Sequence, residues 1–208
     1  MTAYARLRAR LRADEGTSLL ELLVAMSIMM IFLGIFTGAI IVISKSQAKT
    51  TSITDSSEQV NEAFLWLDKN VRYAAAITTP GRGSNNDWYV ELRNTTSGTE
   101  VCTQIRLDIT TTQLQRRSWT PSGTTATGLT SWTPMGSGFT NAAVAAGDPN
   151  QPFISLPTAT DSKRFQQLSV VLVAKSGSTN TRSTFTFPAI NSTMPKSSAP
   201  VCQEAGRP

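Results

Sequence analysis

The sequence predicts an α+β protein: a long N-terminal helix followed by an antiparallel β-sheet head. Three observations lead there. Leu22 to Ile43, LLVAMSIMMIFLGIFTGAIIVI, runs for 22 residues without a charge. Further on, Ile53, Val60, Phe64, Leu67, Val71 and Ala74 recur at spacings of seven, four, three, four and three, one face of an amphipathic helix. After Pro80 the composition shifts to Ser, Thr, Gly, Asn and Pro, with short runs alternating apolar and polar residues. The 208 residues therefore divide into a leader (1–16), an apolar helix (17–43), an amphipathic helical stretch (44–78) and a head (79–208) with a loop-rich middle at 121–157.

Composition narrows the function before any motif is read. Hydrophobic residues make up 40% and charged residues 16%, which supports a packed core and argues against wholesale disorder. Histidine is absent, so Ser/His/Asp and Cys/His catalysis and every histidine-containing metal site are excluded. With only Cys102 and Cys202, no thiolate zinc cage can form. The net charge of +5 is unevenly placed. Arg6, Arg8, Arg10 and Arg12 stand in the first 16 residues, and without that segment the balance is 15 basic against 12 acidic.

A stretch of roughly 20 apolar residues in a helix crosses the hydrocarbon core of a bilayer, so Leu22–Ile43 reads as a transmembrane segment. A buried helix of this length with no polar face would be unusual in so small a protein. Four arginines precede the run, whereas only Lys45 and Lys49 follow closely. That asymmetry keeps the amino end cytoplasmic and places everything after Ser44 outside. A cleaved secretory signal has a shorter apolar region and a small-residue site behind it, and Ser44-Lys45-Ser46-Gln47 is a poor site of that kind. An uncleaved signal anchor is the plain alternative.

Glu21 does not suit a plain anchor. It stands at the threshold of the apolar run, with no basic neighbour nearby in sequence. Either it sits solvated among lipid headgroups, or it meets a partner that offsets its desolvation. The ordered run Gly16-Thr17-Ser18-Leu19-Leu20-Glu21-Leu22-Leu23-Val24-Ala25-Met26, behind a basic leader, resembles the class III signal of type IV prepilins and type II secretion pseudopilins. The resemblance covers the leader, the glycine, the glutamate five residues later and the long apolar segment.

What this resemblance implies is specific. A membrane-embedded prepilin peptidase cleaves after Gly16, and the new amino terminus, Thr17, is methylated. The family usually carries phenylalanine at that position, so Thr17 departs from the pattern. The processed subunit joins other pilin or pseudopilin subunits through its N-terminal helix, on an assembly platform of the inner membrane, and stays in membrane lipid until then. Glu21 of one subunit can then approach the Thr17 amine of another, and pairing offsets the desolvation of both charges. The implied location is a single-pass bacterial cytoplasmic membrane protein with its head outside, then an extracytoplasmic filament, with no catalytic activity and no cofactor. The stretch Leu67-Asp68-Lys69-Asn70-Val71-Arg72-Tyr73 looks most like J-type minor pseudopilins and W-type minor pilins.

The remaining elements follow in chain order. Helix is expected from Thr17 to about Ala76, ending before Thr79-Pro80-Gly81. Gly34 and Gly38 interrupt its apolar half in a small-xxx-small pattern, which allows close packing against another helix or local unwinding during assembly. Resembling pilins often break their helix near Gly38; chance glycine usage stands beside both. In the head, strands are expected at Trp88–Leu92, Val101–Ile109, Leu114–Trp119, Leu168–Ala174 (central) and Ser183–Phe187, with Phe185 and Phe187 inward. Pro121–Pro157 is expected to be largely loop.

The alternation puts Cys102 on the polar face of its strand, outside the core, and Cys202 in a tail with no strand pattern. An even pair in an oxidising compartment favours one disulfide, pinning that tail to the outside of the sheet; two unpaired thiols are the alternative. Resembling pilins commonly tie their C-terminal region this way. Ser46-Gln47-Ala48-Lys49 fits S-x-x-K but lies on the stalk with no pocket-forming context. Asp148 and Asn150 read as a turn more readily than as calcium ligands. Arg116, Arg117 and Trp119, with Trp132 and Lys163-Arg164 elsewhere, form a candidate basic-aromatic surface for DNA, set against a solvated strand edge. The reading from a different class is an uncleaved, membrane-anchored extracellular binding protein for DNA or a surface ligand.

Overall fold

The computed structural model describes residues 18–96, 98–156, 165–176, 179–192 and 201–208. The leader with Gly16 and Thr17, and Lys163-Arg164, lie outside the described residues. Two compact units are present, one up to Ala48 and one from Lys49 to Pro208.

Helix α1, Leu19–Arg72, belongs to both units. In the first, every described side chain from Ser18 to Ala48 is exposed. The hydroxyls there bond within the helix: Ser27 Oγ donates to the Leu23 carbonyl and Thr37 Oγ1 to the Leu33 carbonyl, both at 2.8 Å. Such back-bonding lets Ser and Thr sit in an apolar helix without needing water.

In the second unit, α1 buries Ala63, Leu67 and Val71 completely, and Ala74 just beyond its end. Val60 and Phe64 are partly buried against the same cluster, so the predicted face is present, except that Ile53 remains 46% exposed. The helix stops at Arg72, four residues short of the expected Ala76. The head takes over its backbone groups. Ala75 N–H donates to the Arg93 carbonyl at 2.7 Å, and β1 (Ala76–Ile77) pairs with residues 92–93. The helix's last carbonyls are capped from the head as well, Asn70 by the Asn94 amide (3.2 Å) and Arg72 by Ile190 N–H (2.9 Å).

The remaining strands are β2 (Gly81–Arg82), β3 (Trp88–Thr96), β4 (Thr99–Leu107), β5 (Leu114–Ser122), β6 (Thr125–Thr127), β7 (Thr133–Gly136), β8 (Phe153–Leu156), β9 (Gln167–Ser176) and β10 (Thr179–Pro188). A seven-stranded antiparallel sheet has the order β1-β3-β4-β5-β6, with β2 on β3 and β7 on β5; a second sheet has the order β10-β9-β8. Strand β9 is central in its sheet, as its unbroken apolar run predicts. The 121–157 stretch is more ordered than expected. It contributes the end of β5, all of β6, β7 and β8, and a short 3₁₀ turn at Asn141–Ala143. These pieces are too short and Thr/Gly-rich to show alternation, and pairing with β5 and β9 creates them.

One main core joins α1 to both sheets: Ala63, Leu67 and Val71 meet Val90, Leu92, Ile105, Leu107, Phe153, Val170, Leu172 and Phe187. On β4 the odd positions Thr103, Ile105 and Leu107 share the core face. The even positions Cys102, Gln104 and Arg106 share the opposite face with Tyr89, Glu91 and Arg93 of β3, their partners across the ladder.

Candidate functional site

The first candidate region is the start of α1. Ser18 is its N-cap: the Glu21 N–H lies 3.2 Å from Ser18 Oγ and 2.9 Å from the Ser18 carbonyl. Ser18-Leu19-Leu20-Glu21 has the S-x-x-E spacing of a capping box, and the hydroxyl-to-amide half of that box is formed. The sequence reading of Glu21 missed this local role, although the spacing was there to be read. A carboxylate in the first turn also sits at the positive end of the helix dipole. Glu21 is exposed, and no ion pair to it forms among the described residues. Gly34 and Gly38 lie within unbroken helix, and a Cβ added at either would meet nothing within 4 Å. Among the described residues no contact therefore requires a glycine at either place.

Among the described residues one helix is long and apolar enough to cross a membrane, and it is α1. Its uncharged run of 22 residues measures about 33 Å at 1.5 Å per residue.

The second candidate region is the outer face of the large sheet. Antiparallel sheets commonly leave one face in water; here the tail 201–208 lies over it. Cys102 and Cys202 form a disulfide with Cα atoms 5.5 Å apart. Cys102 is fully buried, in a small cluster with Ala76, Trp119, Val201 and Cys202. The expectation that Cys102 lies on the polar face is right about the side of the strand. The implied exposure is corrected, because the tail's own apolar residues cover that side.

Beyond the disulfide the tail is held by charge. Glu91, 2% exposed, accepts from Gln104 Nε2 and from Arg207 Nε, both at 2.8 Å, and from the Thr78 hydroxyl. The Gly206 carbonyl accepts from Gln104 Nε2 at 2.9 Å and Arg117 Nη2 at 3.2 Å. A buried carboxylate is tolerable only with such a full set of donors. Next to it Asp87 accepts from Arg106, Asn85 and the Ile109 N–H at 3.1, 2.7 and 2.8 Å. Burial pushes the Tyr89 hydroxyl pKa up, against the opposing bonds from Arg106 and Asn85. Burial also pulls Arg117 below its ordinary value. At Asp108 burial acts upward, but the Thr111 and Thr110 amides at 2.9 and 2.8 Å, with the Arg106 charge, outweigh it and hold the carboxyl below its usual range.

The three residues read as a DNA-contacting surface do not share one open face. Arg116 points to the helix side and stacks on Trp66 at 4.9 Å. Arg117 points to the other side, where it and Arg106 lie over the Trp132 ring at 4.5 and 4.2 Å. Trp119 is 2% exposed, and its indole N–H donates to Glu204 at 3.0 Å. Consecutive strand residues face opposite ways, so Arg116 and Arg117 could not both stand on one side. Asp148 and Asn150 form a turn, the Asn150 N–H donating to Asp148 Oδ1 at 2.7 Å. Among the described residues there is no group of three or more acidic or thiol side chains placed to hold a metal. No protein-family model, curated protein or solved structure matches this chain.

Proposed function

We propose that the chain is a minor pilin or minor pseudopilin, a non-catalytic subunit of a type IV pilus or type II secretion-like filament, assembled after cleavage behind Gly16. The observation that carries this reading is the ordered run of basic leader, Gly16, Thr17 and Glu21 before an uncharged stretch of 22 residues. The exposed apolar face of α1 up to Ala48 supports it, since that much greasy surface needs lipid or other subunits around it. In this reading Ser18 caps the Glu21 amide within the helix, and the Glu21 carboxylate meets the Thr17 amine of a neighbouring subunit on assembly.

Mass spectrometry of the protein recovered from its host envelope tests the proposal. The expected mature chain begins at Thr17, with a methyl group on the new amine. A chain that retains residues 1–16 overturns the filament reading in favour of an uncleaved, membrane-anchored binding protein. A Glu21→Ala variant that is processed normally and enters filaments at wild-type levels would remove the role given to Glu21.

A further inference from the structure

We infer that the outer edge of β10 and the groove beside it form a docking site for an extended strand of a partner polypeptide. The inference rests on the unit from Lys49 to Pro208 alone and does not depend on the filament reading.

Edge strands are a hazard that proteins blunt with short length, proline, a bulge or a free charge. The large sheet follows that rule: β1, β2, β6 and β7 have two, two, three and four residues. In the small sheet β8 has four. Strand β10 has ten, and pairs with β9 from Thr179↔Ser176 to Pro188↔Gln167 without a register shift. Its only proline is the last residue. Its one charge, Arg182, is drawn aside by bonds to Asn150 Oδ1 (3.0 Å) and the Pro149 carbonyl (2.9 Å).

The direction of the backbone groups follows from β9. Val171 N–H bonds to Pro152, the Val173 carbonyl accepts from Thr140 N–H, and Lys175 N–H bonds to Gly138. These residues therefore bond away from β10, and Val170, Leu172 and Ala174 bond toward it, opposite Phe185, Ser183 and Thr181. The alternate residues Asn180, Arg182, Thr184 and Thr186 turn their N–H and C=O groups outward, and no described strand pairs with them.

Beside this edge, on the inward side, lies a groove of about 390 Å³ between β10 and α1. Ile53, Val60, Phe64 and Phe185 supply its apolar wall, with Ser57 and Thr181 at the same surface. One added strand would continue the small sheet over the part of α1 that the sheet leaves bare, where Ile53 is 46% exposed. A helix or a lipid chain has no free backbone groups to offer an edge. An extended peptide does, and its alternate side chains fall into such a groove.

The test uses the full chain in detergent micelles. The probe is a nine-residue synthetic peptide of alternating threonine and valine with a lysine at each end. Expected is a slowing of amide exchange at Arg182, Thr184 and Thr186 by about tenfold on adding the peptide. Thr184→Pro removes one outward donor where an edge tolerates proline. Ser57→Trp fills the groove without touching β10. Each should weaken peptide binding about tenfold or more while leaving the near-UV spectrum and melting midpoint in place. Outward amides already protected in the free chain would mean that the chain covers its own edge, and would overturn the proposal. So would peptide binding indifferent to both variants, or no binding at all. Protection that grows with protein concentration alone and vanishes in Thr184→Pro would assign the edge to a second copy, and would overturn the separate partner.

Discussion

Helix α1 holds two leucines with opposite fates. Leu33 is 49% exposed and Leu67 fully buried, although both stand in regular helix. Around Leu33 the neighbours are apolar on every side of the helix, so no orientation could hide them. Around Leu67 polar residues alternate at helical spacing, and one face alone turns toward the sheets. The first stretch stays exposed on every side among the described residues, and the second buries one face against the sheets.

Substitutions can break or sharpen that contrast. Leu67→Ala removes a buried side chain from the junction of helix and sheets, and should cost about 2–5 kcal/mol of unfolding free energy, read as a lowered urea midpoint at unchanged slope. Arg207→Met tests the outer face, where Glu91 would keep its burial and lose its cationic partner. A loss of about 3 kcal/mol is expected, with part of it recovered when Glu91→Gln is added. An unchanged midpoint in Arg207→Met would make the tail's charge incidental, leaving the disulfide as its anchor.

A smaller effect attaches to Asp108, whose carboxyl pKa is lowered in the folded state. The stability it contributes is fully present above the unfolded carboxylate pKa, near 3.9, and fades as pH falls through the lower folded value. The gap between wild type and Asp108→Asn in pH-dependent urea melts should therefore be widest near neutrality and close in strong acid. A gap that widens on acidification would contradict the amide bonds assigned to it. Leu33→Ala should leave the unfolding free energy of the head within about 0.5 kcal/mol, because Leu33 is half exposed and stands outside the core cluster of the described residues. A loss comparable to that of Leu67→Ala would abolish the distinction between the two leucines.

The part of the candidate site that lies on one strand of sequence was the more legible. Ser18 and Glu21 are three residues apart, and their bond could have been read from S-x-x-E. The face of β4 that carries Cys102 was readable from alternation, but its burial was not, because the covering residues stand 100 positions away. Arg116, Arg117 and Trp119 look like a cluster when written in a line. In the strand they part to opposite faces, and Trp119 shares its face with Cys102 under the tail. The same distance in sequence hid the end of α1, since Arg93, Asn94 and Ile190 decide where it stops.

By itself the sequence determined the uncharged helix, its amphipathic continuation and the strands with clear alternation. Each is written in residues a few positions apart, and helix and strand periods act over that range. The tertiary structure alone decided which sheet face is dry, where Glu91 finds its donors and which strand is left at an edge. Those outcomes depend on segments that meet only after the chain has folded, and on desolvation that no local pattern records.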